Sequence, residues 1–191
     1  QIAQELECNF NMSGETVFHP DDIATIKTQL KEPKYRTGFD RNFWIWEEYS
    51  PEFTYMLSAD VARGDGNDYS AFHIFKIETM EIIAEYQGKA TPDVFANLIQ
   101  SVAKEYNNCM VVVENNSIGY TVLDKLEENS YPNIYYAYKS SHEYVDPLTA
   151  ETVNNTIAGF TMSLKTRPLV VAKMEEFVRN KLITIYSNRI F

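Results

Sequence analysis

The sequence predicts an α/β fold: a mixed β-sheet, made of an antiparallel three-strand meander plus parallel strands, with helices on both faces. Two observations carry this. Three apolar runs of strand length, "FTYMLSADV", "SAFHIFKI" and "EIIAEYQGK", follow one another with only the turns "RGDGN" and "ETME" between them. Segments of helical periodicity then alternate with short apolar runs, as a sheet covered by helices requires.

Residues 1–50 mix polar turns ("NMSGE"), a short helix from about Asp21 to Leu30, and the aromatic stretch "FWIWEEY". They read as a junction, and residues 51–191 as one domain. After the meander, "TPDVFANLIQSVAKEY" offers Thr91 as N-cap and Pro92 at the first helical position, while Phe95, Leu98, Ile99, Val102 and Tyr106 recur at helical spacing. "CMVVVE" is a continuous apolar run suited to a strand buried on both faces. "SIGYTVLDKLEEN" returns to helical periodicity, "NIYYAY" predicts a fifth strand, "PLVVAKMEEFVRNK" a further helix and "LITIYS" a last strand.

With 191 residues, 45% hydrophobic and 14% aromatic, the chain can bury one proper core and shows no low-complexity tract. No apolar run approaches membrane-spanning length, and "QIAQELECNF" has neither a basic leader nor an apolar signal core, which implies a soluble intracellular protein. Cys8 and Cys109 are too few and too distant for a thiolate metal site. The net charge of −10 speaks against nucleic acid at first sight. Its distribution softens that, because residues 139–191 hold 7 basic and 5 acidic side chains against 10 and 22 in residues 1–138.

Asp60 ends the first strand of the meander, and the chain turns so that Asp68 returns near the same rim. Glu114 ends "CMVVVE" immediately before "NNS". A strand entered from a helix packed on the meander runs parallel to the first strand, so Asp60 and Glu114 should face each other at one edge. Ionised carboxylates that close are tolerated when a divalent cation bridges them; otherwise one holds a proton. Hard oxygen ligands, few in number, suit Mg²⁺ or Mn²⁺, as one or two ions with room for water and phosphate. Taken alone, Asp65 and Asp68 read first as solvated loop residues, with Asp68 closing the hairpin as an Asx-turn. His19, His73 and His142 share no spacing, and His73 alternates within a strand as a structural residue. "GDG" has no phosphate-loop lysine and no helix directly after it.

In their order, "LSADVARGDGNDYSAFHIF", "VVVENNSIGYTVLDKL" and "GFTMSLKTRPLVVAKMEEFVRNKLITIYSNRIF" resemble the C-terminal nuclease domain of the large terminase subunit of tailed bacteriophages, which has a ribonuclease H-like fold. The resemblance extends over residues 53–191. "AQELECNF" followed by "GETVF" resembles the segment by which such proteins leave their ATPase domain. It implies that Asp60 and Glu114 are metal-binding catalytic acids and that Asp68 matches a further acid of the first motif. It also implies a metal-dependent DNA endonuclease that cuts concatemeric phage DNA during packaging, in the host cytoplasm and transiently at the procapsid portal. The partners implied are double-stranded DNA and, in a full-length protein, an ATPase domain, the portal protein and the small terminase subunit. The family's third acid lies after the final strand, which here places it beyond Phe191; Asp146 would substitute only if its loop folded over the rim. Lys139, Lys165 and Arg167 fall in or next to the partly basic C-terminal stretch and are candidates for phosphate contact, with a solvated surface as the equal alternative. Other readings are a different ribonuclease H-like nuclease, of the Holliday junction resolvase or transposase type, an actin-like ATPase, and a non-catalytic packaging scaffold.

Overall fold

The computed structural model describes residues 17–138 and 156–190; Cys8, Lys139, His142 and Asp146 lie outside the described residues. In chain order the elements are α1 (Pro20–Lys27), β1 (Tyr35–Thr37), β2 (Phe43–Ile45), β3 (Tyr55–Asp60), β4 (Ser70–Lys76), β5 (Glu81–Gly88) and α2 (Pro92–Glu105). They continue with β6 (Met110–Val113), α3 (Gly119–Glu128), β7 (Tyr136–Tyr138), β8 (Thr156–Ala158), α4 (Thr166–Arg179) and β9 (Thr184–Ile185).

The meander forms as its alternation predicts. β3 pairs antiparallel with β4, and β4 with β5, with a register shift between Ile74 and Phe75. β6 returns parallel to β3. The main sheet has the order β1-β2-β5-β4-β3-β6, and β9 lies parallel to the start of β5, on the strand whose later residues pair with β2. β7 and β8 form a separate two-stranded ribbon. Two features depart from the sequence reading. Residues 35–45, read as part of a junction, contribute two strands to the main sheet, and Phe43 joins its core. β6 is fully buried on one face only, since Met110 is exposed and Val112 half-buried.

One face of the sheet presents Leu57, Phe72, Ile74, Val111 and Val113, all fully buried, to α2 and α3. α2 starts at Pro92 after Thr91, as expected, and turns Phe95, Ile99 and Val102 inward; α3 contributes Val122 and Leu126. Phe72 anchors this layer by stacking on Tyr86, with Phe43 and Phe95 tilted against it. On the opposite face, Phe75 and Ile82 pack with Ile26 of α1, Met174, Phe177 and Val178 of α4, and Ile183 and Ile185 around β9. Helices therefore cover both faces. In the first turns of α4, Leu169 is 70% exposed. Among the described residues no helix is long and apolar enough to cross a membrane.

At the end of the sheet where β5 begins, Lys76 is buried between Glu47 (2.6 Å) and Glu81 (2.5 Å). Burial alone would raise the pKa of Glu81. Donation from Lys76, Thr79 and Tyr186, together with the Lys76 charge, instead holds it at about 2, below the usual 4.5. A depressed folded pKa contributes stability that is present above about pH 4.5 and lost as pH falls toward about 2. Acid unfolding followed by circular dichroism should therefore lose stability across that window. Glu81→Gln, less stable at neutral pH, should show a shallower loss; an identical acid profile would remove Glu81 from the account.

Candidate metal centre

Parallel pairing fixes the site. Ser58 pairs with Val112 and Ala59 with Val113, and the Glu114 N–H donates to Ala59 O at 3.0 Å. Asp60 and Glu114 are thus the next residues in register at the C-terminal ends of neighbouring strands. Side chains alternate along a strand, so the two acids share the face that carries Ser58 and Val112. With strands about 4.8 Å apart, the carboxylates are near neighbours.

Both acids line one open cleft of about 480 Å³, with Ser58, His73, Phe160, Met162 and Val170 among its walls. Asp60 is exposed and Glu114 half-buried. Neither forms an ion pair among the described residues. Two carboxylates with no cationic side chain between them are suited to receive a cation. Hard oxygen donors, few in number and open to solvent, fit Mg²⁺ or Mn²⁺ with water and substrate completing the coordination. Among the described residues, no group of three or more His, Cys, Asp or Glu is placed to hold a metal.

The two asparagines after Glu114 hold it in place. Asn116 Nδ2 donates to Glu114 Oε1 at 2.7 Å and to Met162 O at 2.8 Å. Asn115 is fully buried: its Nδ2 donates to Ala158 O, its Oδ1 accepts from Thr161 Oγ1, and its N–H donates to Phe160 O. "ENN" therefore stitches the segment 158–162 onto the edge of β6. Two glycines permit this packing. A Cβ at Gly159, where φ is +78°, would lie 2.5 Å from Val113 O, and a Cβ at Gly119 would lie 1.8 Å from Glu114 O. Sequence pattern alone makes "NNS" a turn. The only local signal of the stitch is that a fully polar pair follows a buried strand.

The remaining candidates are placed differently. Asp68 is exposed in the loop 61–69 and is not among the residues that line the cleft; that loop is longer than the tight turn the sequence suggests. Lys165 and Arg167 are exposed at the start of α4, whose first turn is fixed by reciprocal bonds between Ser163 and Thr166. This turn comes directly after Met162 in the cleft wall. His73 lies on the same sheet face beside Ser58, 3.6 Å from buried Glu85. Burial would raise the Glu85 pKa, but His73, Ser187 and Arg189 lower it on balance, so this carboxylate stays ionised. Cys109 is buried and its thiol is pushed up to about 12 by burial, which makes it inert.

A mixed sheet of this order, with helices on both faces and acids at adjoining ends of two parallel strands, is a ribonuclease H-like fold. Solved structures similar to it include nuclease domains of phage large terminases. The large terminase nuclease of thermophilic phage G20c with bound magnesium superposes with a TM-score of 0.65 at 14% identity, over 93% of this chain and 77% of that chain. Its zinc-bound form gives 0.62 at 15% identity, over 89% and 83%. The large terminase nuclease domain of Thermus phage P74-26 gives 0.60 at 14% identity, over 88% and 73%. No family model matches the chain.

Proposed function

We propose that this chain is the metal-dependent DNA endonuclease domain of a phage packaging terminase, cutting concatemeric DNA during genome packaging. The observation that carries this is the register that puts Asp60 and Glu114 side by side in an open cleft, in a fold shared with terminase nucleases that bind divalent metals. Asp60 and Glu114 hold one or two Mg²⁺ or Mn²⁺ ions. When bound, such an ion supplies Lewis acidity at the scissile phosphate. Asn116 keeps the Glu114 carboxylate aimed into the cleft, and the half-apolar wall of Val112, Phe160 and Val170 limits the water around it. Lys165 and Arg167, beside the cleft, contact the DNA backbone. Double-stranded DNA is the substrate, and in a full-length terminase the ATPase domain, portal and small subunit are the partners, in the host cytoplasm.

Nicking of supercoiled plasmid tests the reading. The expected result is Mg²⁺- or Mn²⁺-dependent nicking that a chelator stops while the fold persists, because a rim site with few protein ligands contributes little folding energy. Metal-independent nicking would contradict the assignment.

A further inference from the structure

We propose that the groove walled by Phe39, Tyr69 and Lys89 holds an unpaired nucleobase of the DNA strand that the acid pair acts on, an inference that rests on the nuclease reading. The groove, about 720 Å³, opens at the same rim of the sheet as Asp60. It is continuous with the acids through paired residues: Asp60 pairs with Ala71, Ala71 with Gln87, and Gln87 lines the groove. Two strand spacings, roughly 10 Å, separate the acid from the groove. A neighbouring nucleotide on the same strand can span that gap.

Its walls suit a base. Phe39 is 85% exposed and Tyr69 52% exposed, so two aromatic faces stand in solvent at one groove. Lys89 is exposed, with its Nζ 5.3 Å from the Tyr69 ring centroid, where it can meet the phosphate that flanks a stacked base. Asp40 stands in the wall next to Phe39 and repels phosphate, which leaves the aromatic end to an uncharged group. Stacking of bases on aromatic side chains beside a cation is the general mode of single-strand binding.

The turn that presents Phe39 is energetically costly for a plain surface loop. Gly38, Asp40 and Arg41 all have left-handed φ, at 77°, 54° and 55°. Asn42 Oδ1 at its base is buried and has no hydrogen-bond partner among the described residues. Strain and an unsatisfied acceptor retained together at one groove are features that persist where function holds them.

The test measures two things on the same preparations: anisotropy of fluorescein-labelled oligothymidylate and of a blunt duplex with chelator present, and plasmid nicking with Mg²⁺. Phe39→Ala and Tyr69→Ala should each weaken oligothymidylate binding about tenfold, Phe39→Trp should restore it, and nicking should fall in step. Both residues are exposed enough that alanine leaves the fold intact. Unchanged oligothymidylate affinity with intact nicking overturns the groove assignment and leaves the nuclease reading standing. A parent that binds neither DNA and does not nick overturns the nuclease reading, and the groove assignment with it. If Phe39→Ala weakens self-association in sedimentation and leaves DNA binding unchanged, the face joins two copies of this chain and the proposal is wrong.

Discussion

Asp60→Asn and Glu114→Gln should each lower Mg²⁺-dependent nicking by about a thousandfold or more, with thermal stability equal to or slightly above the parent's. The substitutions change charge and leave shape alone. Asp60 is exposed, so the amide leaves no cavity. Gln at 114 keeps an Oε1 to accept from Asn116, so the local hydrogen bond survives while the charge is lost. What changes is the donor set: one anionic oxygen ligand of two becomes neutral, and a hard divalent ion loses the strongest part of its attraction. Without the metal the two carboxylates repel, so removing either charge relieves the apo protein. Parental cleavage rates in both variants would sink the assignment of these acids.

Gly119→Ala should destabilise the fold by about 3 kcal/mol or more and disturb the site at the same time. Gly119 is the first residue of α3, where helix propensity alone favours Ala by up to about 1 kcal/mol. The opposite sign is expected because the new Cβ would sit 1.8 Å from Glu114 O and 2.9 Å from Glu114 C. Those are backbone atoms of a residue whose N–H is bonded to Ala59 O, so the strand end cannot yield without pulling Glu114 from its register with Asp60. Gly66→Ala is the control, since a Cβ there meets nothing nearer than Asp68 N at 4.0 Å. Urea unfolding should separate the two. Equal stability of both variants would mean that α3 shifts freely away from β6.

How much of this fold is legible in the sequence depends on the range of the interactions. The β3-β4-β5 meander and α2 are legible because alternation, Thr91 and Pro92 are local signals. Asp60 and Glu114 are legible because each acid ends an apolar run, and the parallel return of β6 is implied by the helix before it. β1 and β2 are not, since three-residue strands carry no period, and their place is set by distant β5. The binding of residues 158–162 to β6 is equally hidden: it rests on Asn115 and Asn116, each bonded to residues more than forty positions away, and on a left-handed Gly159. The loop 61–69 shows the limit of local reading, because "GDG" suggests a tight turn while Gly64 packs against Ala90 across the rim.

The central claim is that Asp60 and Glu114 together form a divalent-cation site, and Mn²⁺ titration of the isotope-labelled chain followed by paramagnetic line broadening tests it most directly. Broadening should begin at residues 58–62 and 112–116 and be lost from both segments at once in either Asp60→Asn or Glu114→Gln. Broadening that centres on Asp65 and Asp68, or that survives both substitutions at residues 58–62 and 112–116, would contradict the account.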